Sequence, residues 1–392
     1  MSEIIKAQVE DWLDKHWDSL NDREVGTDTY NEKRWLTKVV DTGYATPTWP
    51  KKWYGLDLSA REARVIEKAF QRRGAKGWGR DRFHLGAITI FKLGSNALKT
   101  ELLYVLLTGP ICCLLYSEPG AGSDLAGVRT RAVKKDEGDE FVVNGQKVWT
   151  SNAVDAEYGM LLSRTDMDAA KHQGITFFIF PMKQAGVQVR PINQITGESE
   201  FNEVFMTDAR VPERFIIGEF NKGWKSFQTA IASERLIMGQ GITARLGGAA
   251  VGKAPGLLQL ADKHGALHDP VLRQDIAQAL AYRQLNALNM LRAKEEMIKN
   301  GASSLSSLGK LAMSRIQHGE ARISAKILGP QVLLNETEDA LNANFDGAKA
   351  YMNSIGGGTD QIQRNIIAER VLGLPKSADV SRNIPFKDIK SR

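Results

Sequence analysis

An α+β chain in three parts is what the 392-residue sequence predicts: helices first, a β-module next, a helical bundle last. Three observations carry that reading. Apolar residues recur at helical spacing through the first hundred or so positions, β-prone runs parted by Gly, Asp, Asn and Pro fill roughly residues 115–220, and helical periodicity returns at Trp224.

In the first part Ile5, Val9, Trp12 and Leu13 line one stripe. Val65, Ile66, Ala69 and Phe70 line a second, and Ser59 with Glu62 forms a capping box at its start. Leu98, Leu102, Leu103 and Leu106 make a third, closed by Gly109 and Pro110. The pattern then changes. "FVVNGQKVW" sets Asn144 and Gly145 between two β-prone runs, which predicts a hairpin turn. Further strands are expected at "GMLLSR", "ITFFIF", "VQVR" and "NEVFM". Strands in a block without intervening helices imply an antiparallel sandwich or barrel. Long helices are expected near 225–247, 270–299 and 304–329, with a shorter one after Thr359. The expected domains are 1–114, 115–222 and 223–392, with no internal repeat.

Composition is that of a globular protein, 42% hydrophobic and 25% charged. The net charge of +6 is spread along the chain, so it suits phosphate-bearing ligands but gives no nucleic-acid-binding cluster. Cys112 and Cys113 are adjacent, which fits neither a disulfide framework nor metal-ligand spacing and points to a reducing compartment. The acid-bearing start does not read as a secretory signal, and the apolar stretch Leu102 to Leu115 is too short and broken to span a bilayer. A cytoplasmic protein without metal or membrane is expected.

Four stretches could carry chemistry. "YSEPGAGSDLAG" offers Gly120 and Gly122 for close backbone approach and Ser117 and Ser123 as hydroxyls. Leu125 stands where a dinucleotide fingerprint needs its third glycine, and no βαβ context surrounds it, so that fingerprint is rejected. Trp149 and Ser151 place an aromatic plane beside a hydroxyl; taken alone, a tryptophan here is more often core or rim packing than a cofactor platform. Glu234 falls on the same helical face as Phe227, Ala230, Ile231, Met238 and Ile242. A carboxylate on an apolar stripe must be paired, neutralised or used, and desolvation raises its pKa toward the range of a general base. Lastly, Gly356 to Gly358 run into Thr359, a suitable N-cap, leaving backbone N–H groups bare for a ligand edge or simply forming a turn.

These motifs together resemble the acyl-CoA dehydrogenase family. The resemblance rests on "WPKKWYGLDLS", "YSEPGAGSDLAGVRTRA", "NGQKVWTSNA", "FNEVFMTDARVP" and "GGTDQIQRNIIAERVLGLP", in that order along nearly the whole chain. It implies an α-helical domain, a middle antiparallel β-barrel and a C-terminal four-helix bundle. It also implies FAD as cofactor, an acyl-CoA substrate and an electron-transfer flavoprotein as acceptor. By position, Ser117, Trp149 and Ser151 match residues at the flavin ring, Thr359 and Gln361 match C-terminal contacts to FAD, and Ser123 matches a serine at the CoA moiety. Gly357 and Gly358 belong to the turn that packs on cofactor and thioester. Many members carry the catalytic glutamate where this chain has Gly357; a subset that includes isovaleryl and steroid side-chain enzymes carries it where this chain has Glu234. Two further departures bear on assembly. Lys263, His264 and Gly265 replace the Arg-x-Phe-Gly motif that reaches FAD across a subunit interface, and the Gln-x-x-Gly-Gly stretch is missing around "GPQVLLNETED". A homotetramer, or a heterotetramer with a related subunit, therefore stands beside the alternatives of a non-catalytic partner subunit and an oxygen-using acyl-CoA oxidase.

Overall fold

The computed structural model describes residues 2–110, 112–231, 256–300, 303, 305–376 and 383–389. Those within Met1–Ile192, Ser199–Glu234 and Val380–Arg392 form one compact unit, and those within Asn193–Glu198 and Arg235–Asp379 a second.

The first unit opens with helices α1 (Ser2–His16), α2 (Glu32–Asp41), α3 (Ala60–Arg73), α4 (Arg80–Phe83), α5 (Leu85–Leu93) and α6 (Asn96–Thr108). The expected stripes turn inward: Ile5, Val9 and Leu13 on α1, Ile66, Ala69 and Phe70 on α3, and Leu98, Leu102, Leu103 and Leu106 on α6 are buried. At the start of α3 the Ser59 hydroxyl accepts from the Glu62 N–H while the Glu62 carboxylate accepts from the Ser59 N–H, so two otherwise orphaned donors are satisfied.

A short ribbon, β1 (Trp17–Asp18) with β2 (Arg23–Glu24), lies among these helices in sequence. The main sheet holds β3 (Cys113–Leu115), β4 (Arg131–Lys134), β5 (Glu140–Ser151), β6 (Tyr158–Arg164), β7 (Ile175–Pro181), β8 (Val187–Pro191) and β9 (Phe201–Pro212). Its order is β3-β6-β4-β5-β9-β8, with β7 also on β6. All four expected runs are strands. Pairing is antiparallel except for β3 with β6 and β4 with β6. β6 and β7 are buried along nearly their full length, which explains their continuous apolar runs.

The expected hairpin at Asn144-Gly145 is not formed. β5 runs unbroken through it, and the register against β9 shifts between Val143 and Gly145. Two contacts account for this. Asn144 spends its side chain across the sheet, donating to the Asp208 carboxylate at 3.0 Å and accepting from the Asp208 N–H at 2.9 Å. A Cβ on Gly145 would stand 2.5 Å from Thr130 Oγ1, so glycine is needed for close approach of a neighbouring segment, not for a turn.

The second unit contains α7 (Leu257–Lys263), α8 (Pro270–Asn300), α9 (Ser306–Leu328), α10 (Glu338–Ile355) and α11 (Asp360–Ile366). Leu257, Ala261, Ala266, Ile276, Ala279 and Ile323 form one of its cores. Helix α10 was not among the expected helices: its buried face is Ala340, Ala343 and Ala350, which gives little hydropathic contrast. Of the helix expected near 225–247, residues 223–231 are helical and the rest lies outside the described residues. No helix among the described residues is long and apolar enough to cross a membrane.

Candidate active site

In the first unit the predicted residues gather where β5 ends. Lys147 pairs with Val204 and Thr150 with Asn202, three steps on β5 against two on β9, so one extra residue bulges out. Trp149 sits on that bulge at φ +62, a left-handed backbone that costs a bulky residue of order 1–3 kcal/mol. Trp149 is 59% exposed, and its ring meets that of Phe201 edge-on with centroids 6.3 Å apart. The Val148 N–H donates to the Ser117 carbonyl at 3.0 Å, which ties the loop after β3 to the bulge. Ser117 and Ser151, both half-buried, spend neither hydroxyl on a hydrogen bond among the described residues. Gly120 and Gly122 face open space, and Ser123 is exposed.

A buried ion pair holds this loop. Lys147 Nζ lies 2.8 Å from Glu118 Oε1 and donates to the Tyr116 carbonyl at 3.0 Å. Glu118 also accepts from the N–H groups of Arg129 (2.7 Å) and Thr130 (2.9 Å). Burial by itself pushes the Glu118 carboxyl up, but the Lys147 charge and these donors hold it below the usual carboxylate range. Beside Ser117, the Tyr116 ring meets Phe227, within the helical residues 223–231, edge-on with centroids 4.8 Å apart. Glu234 itself lies outside the described residues.

In the second unit the triglycine turn is a second cluster. Gly357 and Gly358 take φ +66 and +90. The Gln363 amide, buried, donates to the Gly357 carbonyl at 2.9 Å, and a Cβ on Gly358 would stand 2.9 Å from that same nitrogen. Thr359 caps α11, its hydroxyl accepting from the Ile362 N–H at 3.2 Å, while Gln361 is exposed. Asp360 is fixed by Lys310 at 3.1 Å and Ser314 at 2.8 Å. A Cβ on Gly357 would meet nothing within 4 Å. Far from this turn in sequence but within the same unit, Lys263 and His264 both reach Asp339, at 2.7 and 2.8 Å.

Sequence reasoning missed Lys147, Glu118, Arg164 and Gln363. For Lys147 a signal existed. It shares the period-two face of Phe141 and Val143, where a lysine must be paired.

An exposed indole on a strand-end bulge, tied to the Ser117 loop and backed by a buried ion pair, marks a candidate ligand site in a chain of helices, sheet and helices. The comparisons give the family. Residues 113–209 match the middle domain of acyl-CoA dehydrogenases and 221–372 their C-terminal domain. Acyl-CoA dehydrogenase IpdE1 of Mycobacterium tuberculosis is 32% identical over 364 residues, covering 90% of each chain. Acyl-CoA dehydrogenase FadE34 of the same organism is 35% identical over 88% of this chain, which spans only 46% of the FadE34 length. The solved Tcur3481-Tcur3483 steroid ACAD superposes with a TM-score of 0.72 at 25% identity, covering 96% of this chain and 98% of that one. The chain belongs to the acyl-CoA dehydrogenase family of FAD-dependent oxidoreductases.

Proposed function

We propose that this chain catalyses α,β-dehydrogenation of an acyl-CoA thioester to the trans-2-enoyl-CoA, with electrons passing to an electron-transfer flavoprotein. The observation that carries the reading is the Trp149 bulge with the uncommitted hydroxyls of Ser117 and Ser151. Bound FAD supplies the two-electron acceptor for this chemistry. Trp149 offers the ring a flat apolar neighbour, and Ser117 and Ser151 offer hydrogen bonds to its polar edge. Thr359 and Gln361 are assigned to FAD from the C-terminal side, Ser123 to the CoA moiety.

Glu234 is assigned the base that takes the α-proton, because Gly357 has no side chain to do so. The main-chain N–H groups of Gly357 and Gly358 are assigned to the thioester oxygen, where they would stabilise charge developing on it. Open space at Gly357 favours a branched or bulky acyl group, in keeping with the resemblance to a steroid ACAD.

A second reading concerns assembly. Lys263 and His264 stand where the family's cross-interface motif falls, and both are committed to Asp339 of their own chain. That commitment, with the resemblance to the paired Tcur3481-Tcur3483 protein, supports a heterotetramer in which a related subunit completes the assembly. Anaerobic addition of bulky and straight-chain acyl-CoAs to the purified yellow protein tests the main reading: visible absorbance should bleach. Peroxide formed in air would mark an oxidase. A colourless chain that takes up flavin only with a second subunit would mark the partner role.

A further inference from the structure

The last described residues leave the second unit and belong to the first. Phe386 is 1% exposed there. Its N–H donates to the Ala169 carbonyl at 2.9 Å and the Lys387 N–H to the Met167 carbonyl at 3.0 Å, so the segment lies along the loop between β6 and β7. The Lys387 ammonium also pairs with Asp168 at 2.5 Å.

Arg164, fully buried at the end of β6, is the joint between that loop and the ligand loop. Its guanidinium donates to the carbonyls of Ala126 (2.6 Å), Gln173 (2.7 Å) and Lys171 (3.0 Å). Lys171 in turn reaches the Asp124 carboxylate at 2.5 Å. Both Asp124 and Ala126 lie at the far end of "YSEPGAGSDLAG". A buried cation needs compensation, yet among the described residues no carboxylate comes within ion-pair distance of Arg164. Besides these carbonyls and the more distant charges of Glu118 and Asp166, it has the Phe386 ring, with the Arg164 guanidinium carbon 3.7 Å from its centroid. The Arg129 guanidinium lies over the same ring at 5.2 Å and donates to the Ile389 carbonyl at 3.2 Å, while the Arg129 N–H is one of the two main-chain donors held by Glu118. Both ends of the ligand loop are therefore tied, through Arg129 and Arg164, to one aromatic side chain of the C-terminal segment.

We infer that the segment Pro385–Ile389 supports the ligand loop Ser117–Gly127, with Phe386 and Arg164 as positioning residues for whatever binds at Ser117 and Ser123. The link to acyl-CoA rests on the function proposed above; the mechanical link does not. Removing the ring leaves Arg164 undercompensated, so its hold on Ala126 loosens without any change to Trp149 or to the base.

The test uses the full-length protein carrying Phe386→Ala, and Phe386→Leu, which keeps most of the apolar volume but not the ring. Amide hydrogen exchange is read across residues 117–130 and across α1 and α3 as an internal reference. Exchange in the loop should rise about tenfold in Phe386→Ala, and measurably in Phe386→Leu, with α1 and α3 unchanged. In steady-state assays KM for acyl-CoA should rise about tenfold with kcat within about twofold. Should Phe386→Ala fail to fold, Phe386→Leu decides alone. Loop exchange equal to wild type, or a rise spread equally over α1 and α3, would overturn the inference. A wild-type protein inert toward every acyl-CoA would sink the proposed function while leaving the exchange result to judge the support.

Discussion

Lys147 Nζ sits 2.8 Å from Glu118 Oε1, with both side chains buried, directly behind the loop that presents Ser117. Removing one partner strands the other charge. Lys147→Met is expected to destabilise the protein by about 3–5 kcal/mol, whereas Glu118→Gln combined with Lys147→Met should recover at least half, measured by urea unfolding. Glu118 has a depressed folded pKa, so its contribution is present above the ordinary glutamate pKa and is lost as pH falls through the lower folded value. The advantage of wild type over the double variant should therefore shrink as pH falls below the ordinary glutamate pKa of about 4.3.

His84 titrates in the opposite environment. It caps α5 through Nδ1, which accepts from the Ala87 N–H at 3.1 Å, and burial, reinforced by the Arg80 charge, pushes its pKa down to about 3. The unfolded chain takes up a proton near the ordinary histidine pKa and the folded chain does not, so stability falls as pH drops through that window. The expected loss from this group is about 2 kcal/mol between pH 6.5 and pH 5. His84→Asn keeps a capping acceptor and should flatten that part of the pH profile, compared by denaturant titration at both pH values.

Trp149 separates stability from function. Its indole is largely exposed and its backbone is strained, so Trp149→Gly should leave the melting temperature unchanged or raise stability by up to about 1 kcal/mol. The same variant should alter the visible spectrum of bound flavin and lower kcat for acyl-CoA oxidation about tenfold. A fall in stability with unchanged spectrum would show a packing role instead.

The fold was legible where periodicity has high contrast. Leucine stripes on α6 and β-branched or aromatic runs in β6 and β7 announce themselves, whereas the alanine face of α10 does not. Asn144-Gly145 misled because the dipeptide signals a hairpin only when nothing across the sheet claims it; here Asp208 binds the asparagine and Thr130 crowds the glycine. At the candidate site, Ser117, Trp149, Ser151 and the Gly357–Thr359 turn are assigned from local motifs. The parts that position them were hidden, because Glu118 meets Lys147 from 29 residues away and Phe386 meets Arg164 from far along the chain. Such pairings depend on tertiary approach, which no spacing rule encodes.

The most direct measurement is anaerobic reduction of the bound flavin by acyl-CoA in wild type and in Glu234→Gln, followed by visible absorbance. Rapid bleaching in wild type, slowed at least about a thousandfold in a variant that keeps its flavin, is the expected result. Undiminished bleaching in Glu234→Gln would contradict the account, because the α-proton would then be leaving by another route.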